Sequence, residues 1–96
     1  MNKEITVSEK NGRHVCHQTH THVHSGDTVT WSSAGEIIIK FTGETPFMEG
    51  LGPFVNNQIQ TVEPKPPVKK GHVFQPAITL NGKLLPTEGD IIFDGG

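Results

Sequence analysis

No stretch of this 96-residue chain keeps a 3.6-residue apolar period; short alternating runs broken by Gly, Asn and Pro take its place. A packing helix needs apolar residues at i, i+3, i+4 and i+7, whereas a half-buried strand needs strict alternation. In DTVTW (27–31), Val29 and Trp31 fall on one side and Thr28 and Thr30 on the other. EIIIKF (36–41) puts Ile37, Ile39 and Phe41 on one face, and EITV (4–7) does the same with Ile5 and Val7. Asn11-Gly12 and Asn81-Gly82 read as two-residue hairpin turns, because both positions tolerate positive φ. Ser25-Gly26-Asp27 and residues 32–35 are further turns. QIQTV (58–62), HVFQPAITL (72–80, interrupted at Pro76) and GDIIFD (89–94) complete the extended segments. EPKPPVKKG (63–71) is a connection, since proline removes ladder donors from a central strand.

Strands separated by turn signals every ten residues or so specify an all-β chain. The expected fold is an antiparallel Greek-key β-sandwich of about seven strands, residues 1–96 forming a single domain. Only two alanines occur, Ala34 and Ala77, which disfavours helices. A hydrophobic share of 32%, with eleven glycines, is that of a globular chain rather than a disordered one.

Charge narrows the function classes. The formal net charge is −2, and no basic run exceeds Lys69-Lys70. A nucleic-acid partner is therefore not expected, because neutralising phosphates needs a basic face. No apolar stretch resembles a membrane span or a signal h-region, so the expected compartment is the cytoplasm, or an exported one if a leader was removed. One cysteine cannot close an intrachain disulfide.

The densest chemistry lies at 14–24, where five of the six histidines and Cys16 crowd together. On an unbroken strand His14, Cys16, His20, His22 and His24 share one face and form a polar stripe. His20 and His22 would stand ~6.6 Å apart, close enough to share one ion, whereas His20 and His24 at ~13 Å would not. Two imidazoles suit Zn, Cu or Ni, and a third ligand would come from His72 or a second chain; His14 and Cys16 form another half-site. Competing with this is a solvated edge strand whose charge resists edge pairing. A pH-responsive surface is a further expectation, since full protonation carries the chain from −2 to +4. Cys16 itself reads as a small half-buried residue.

VHSGDTVTW (23–31), FTGETPF (41–47) and ITLNGKLLPTEGDIIFD (78–94) resemble the cupredoxin-like β-sandwich family, in particular small bacterial members. The resemblance covers some 70% of the chain in pieces. It implies the scaffold. It would also imply a blue-copper site made of two imidazoles, a thiolate and a weak axial thioether. That set is missing: residues 32–35 hold no His, and after Met48 there is neither Cys nor Met, only His72.

No nucleophile, base and oxyanion site can be assembled, so no enzyme is expected. The expected function is that of a non-catalytic binding module. Its partner is an unknown protein or a second copy, with Phe47, Met48, Leu51 and Phe54 of the 43–57 loop as the contact patch. The alternative is a divalent metal-binding protein using His20, His22 and His24. Trp31 is expected in the core and Asp27 as an acceptor of turn amides.

Overall fold

The computed structural model describes residues 1–10, 13–16, 20–65, 67–84 and 89–95, with the backbone alone for 9, 10 and 13–16. Among the described residues the β-rich composition forms eleven short strands: β1 Asn2–Lys10, β2 Arg13–Cys16, β3 His20–Val23, β4 Thr28–Ser32, β5 Ile37–Lys40, β6 Phe54–Val55, β7 Ile59–Thr61, β8 His72–Phe74, β9 Ala77–Leu80, β10 Lys83–Leu84 and β11 Asp90–Phe93. They order as three sheets, β2-β1-β4-β7, β10-β9-β5-β6 and β3-β11-β8. The strand count exceeds seven because bends and proline divide several of the extended segments. Pro76, for example, separates β8 from β9, and the two enter different sheets.

Alternation places the core. Val29 and Trp31 of β4, and Ile37, Ile39 and Phe41 of and after β5, are fully or almost fully buried. Trp31, Phe41, Phe47 and Phe54 then join the β4 sheet to the β5 sheet edge-on, with neighbouring ring centroids 5.6 to 6.5 Å apart. Tilted and T-shaped rings set the positive edge of one against the negative face of the next. This aromatic layer is the centre of the sandwich.

Two pairings depart from the antiparallel expectation. β1 runs parallel to β4, with Ile5 opposite Trp31, and β3 runs parallel to β11. Both arise because β2 and β3, sequence neighbours, go to different sheets: β2 pairs back on β1, and β3 crosses to β11. At the other end Asn81 (φ 51°) and Gly82 (φ 81°) make the expected positive-φ turn, and Leu80 faces Lys83 across it. The Asn11-Gly12 turn lies outside the described residues; the strands on either side of it pair antiparallel, Lys10 opposite Arg13.

Gly26 (φ 88°) makes the turn that the 25–27 segment encodes. Asp27, buried beneath it, accepts the His24 amide at 2.9 Å through Oδ2. That hydrogen bond holds the Asp27 carboxyl below the usual carboxylate range. Burial pushes against it, while the N-terminal ammonium at 3.2 Å from Oδ1, and Lys3, add to the lowering.

Candidate functional site

The histidines come first, because the sequence makes them conspicuous. β3 alternates, with Thr21 and Val23 buried and His20 and His22 exposed. It is the edge strand of its sheet, which lets polar side chains face water on the outer side. The stripe does not run unbroken from 14 to 24. β2 carries His14 opposite Glu9 and Cys16 opposite Val7 in one sheet, while β3 lies in another. The side chains of His14 and Cys16, and residues 17–19 including His17, lie outside what is described.

Each described histidine faces a carboxylate rather than another imidazole. His22 Nδ1 lies 3.1 and 3.0 Å from the two carboxylate oxygens of Asp94. His20 Nε2 is 4.0 Å from Asp90, and His24 Nδ1 is 3.9 Å from Asp27. His72 Nε2 sits 2.7 Å from Glu44, with its ring 4.7 Å from that of Phe74. A carboxylate beside each ring offsets the like-charge repulsion expected of a protonated cluster.

His72 does not complete a site with His20 and His22. Across the sheet Val23, Phe93 and His72 stand opposite one another, and so do His22, Ile92 and Val73. Val23 and Phe93 are buried, so His72 belongs to the inward parity and His22 to the outward one. The third-ligand expectation for His72 is therefore corrected: the sheet stands between the imidazoles. His24 shares the exposure of His20 and His22 but is drawn to its own turn at Asp27. Among the described residues no group of three or more His, Cys, Asp or Glu side chains could hold a metal ion. The blue-copper set does not fit either. His72 is engaged by Glu44, and the lone cysteine of the chain is in β2, in a different sheet from β8.

The contact patch expected at 43–57 also changes. Phe47 and Phe54 are buried in the aromatic layer, and only Met48 and Leu51 are exposed. Phe47 is drawn inward by a bridge to Val62, and Phe54 by its pairing opposite Ile39. The four residues cap the core with two and face solvent with two.

An apolar row appears instead on the outer face of the β10-β9-β5-β6 sheet. Ile38 stands opposite Val55 on one side and Thr79 on the other, and Thr79 stands opposite Leu84. Register thus lines up Val55, Ile38, Thr79 and Leu84 across all four strands. The exposures are 49% for Val55, 38% for Ile38 and 68% for Leu84, with half-buried Thr79 between Ile38 and Leu84, so the register aligns these apolar residues on one face rather than scattering them. Ala77, opposite Lys40, is exposed as well. Glu36 and Lys40 flank Ile38 two residues away on either side, both exposed and neither in an ion pair among the described residues. The signal for this row was in the sequence. Three successive isoleucines cannot all point inward from one strand, and the Asn81-Gly82 turn fixes Leu84 on the same face as Thr79.

Asn56 is a second residue the sequence did not single out. Its Oδ1 accepts the Ile37 amide, and its Nδ2 donates to the carbonyls of Ser33 and Gly35, each at 2.9 Å. It thereby fixes the start of β5, the strand that carries Ile38.

No protein-family model and no curated protein matches the sequence. Among solved structures the chain is similar to the reduced Cu(I) form at pH 4 of a P52G mutant of amicyanin. The TM-score is 0.45 and the identity 16%, over 94% of this chain and 81% of that one. The described strands themselves make the chain an all-β sandwich. At that score no family, ligand, partner or residue role is carried over from the amicyanin structure.

Proposed function

We propose that this chain is a non-catalytic β-sandwich binding module whose contact surface is the outer face of the β10-β9-β5-β6 sheet. The observation that carries the reading is the cross-strand row in which exposed Val55, Ile38 and Leu84 line up with half-buried Thr79 on a hydrogen-bonded sheet. A sheet face of this kind contributes apolar area at little entropic cost, because its backbone is already ordered. The partner it suits is a protein with an apolar face of its own, bordered by charges that complement Glu36 and Lys40. The divalent-metal alternative would rest on His20 and His22, and two imidazoles make a weak and unselective site.

Indole serves as an apolar probe of the face, followed by saturation-transfer NMR. Transfer to indole should be strong in the native protein and largely lost in Ile38→Lys, with Trp31 fluorescence confirming that the variant is folded. Equal transfer in both proteins would remove the face as the contact surface.

A further inference from the structure

We propose that the occupant of this face is a second copy of the chain, packed face to face about a two-fold axis that runs along the row. The proposal rests on the reading of the face as the contact surface and adds what covers it. The charge pattern of β5 and the residue before it supplies the argument. Glu36, Ile38 and Lys40 point outward with Ile38 midway, so the opposite charges lie ~6.6 Å to either side of it. A two-fold axis lying in the interface and crossing the strands at Ile38 reverses the strand direction of the second copy. Ile38 then meets its own counterpart, and Val55 and Leu84 meet theirs. Each Glu36 comes to lie over the second copy's Lys40, and each Lys40 over its Glu36.

The other face-to-face arrangement, with the axis along β5, sets Glu36 on Glu36 and Lys40 on Lys40, and like charges disfavour it. The pattern therefore selects one orientation. Packed sheets stand ~10 Å apart, a gap that a glutamate and a lysine reaching from opposite sides can close. An isologous interface needs a self-complementary patch, and this row, apolar in the middle with opposite charges at symmetric distances, is one.

Sedimentation equilibrium of four proteins over a concentration series tests it: native, Glu36→Lys, Lys40→Glu, and the double exchange Glu36→Lys/Lys40→Glu. Each single reversal turns both interchain pairs repulsive and should weaken dimerisation by about tenfold or more. The double exchange restores complementarity and should restore the dimer. An equimolar mixture of the two single variants should pair with each other better than either pairs with itself. Native protein that stays monomeric up to ~1 mM overturns the proposal. So does a dimer whose affinity ignores the charge exchanges. A monomer that still takes indole at Ile38 overturns the second copy alone. A protein that neither dimerises nor takes indole there overturns the contact surface as well.

Discussion

Replacing Asn56 by alanine should unfold the β4–β5 corner more than its half-buried position suggests. The side chain makes three hydrogen bonds of 2.9 Å, one accepted from Ile37 and two donated to the carbonyls of Ser33 and Gly35. At about 0.5–1.5 kcal/mol each, their removal has a ceiling of about 4.5 kcal/mol. Ser33 and Gly35 are half-buried, so water replaces part of what their carbonyls lose. The Ile37 amide starts a strand whose side chain is fully buried, and it has no such recourse. The expected loss is therefore about 2–3 kcal/mol. Urea unfolding followed by Trp31, the only tryptophan and a fully buried one, reads it directly. The midpoint should fall by about 1–2 M with an unchanged slope, as for a change in stability rather than in the unfolded ensemble. Asn56→Asp keeps the acceptor for Ile37 but points a carboxylate at two carbonyls, so it should be at least as damaging. A loss under about 0.5 kcal/mol in both variants would mean instead that these hydrogen bonds are replaced without cost by solvent.

Other outcomes follow from single contacts. The Asp27 carboxyl is held below its ordinary range, chiefly by the His24 amide, so the charged form is the one the fold favours. Its contribution is complete above about pH 4 and fades as pH falls through the lowered folded value. Melting curves from pH 5 to 2 should be flatter for Asp27→Asn, and that variant should be less stable at pH 7; a parallel acid limb would contradict this. Gly52→Ala should cost about 1–3 kcal/mol, because Gly52 has φ 97° and an added Cβ would stand 2.8 Å from the Ile39 carbonyl oxygen. A thermal scan reads it, and an unchanged melting temperature would show that the β5 backbone gives way freely. Zinc should bind more weakly than about 1 μM, with little difference between native protein and His20→Ala/His22→Ala. Stoichiometric submicromolar binding lost in the variant would bring the metal reading back.

Alternation and turn chemistry made much of the fold legible. Val29, Trp31, Ile37, Ile39 and Phe41 are buried where the pattern places them, and the Asn81-Gly82 hairpin forms as its residues demand. Which strands pair is a different matter. Nothing local tells β2 from β3 as members of separate sheets, because sheet membership depends on partners far along the chain. β7 shows the same limit: Gln60 goes inward and Ile59 outward. The parity there is fixed by Val62, which is buried and bridges to Phe47, so the polar residue two positions earlier follows it inward. The histidine stretch was conspicuous by composition, yet ligand geometry is set by sheet faces, and those put His72 on the opposite face from His20 and His22 of β3. The apolar row was quieter, since Val55, Ile38 and Leu84 are distant in sequence and line up, with Thr79 between Ile38 and Leu84, through register alone.

The proposed contact surface is the outer face of the β10-β9-β5-β6 sheet. A residue-resolved map tests it most directly: amide ¹⁵N–¹H spectra recorded at high and low protein concentration, with indole added at the lower. The same amides should move on dilution and with indole, those of Ile38, Val55, Thr79 and Leu84. Shifts centred on His20 to His24, or none on this face under either condition, would contradict it.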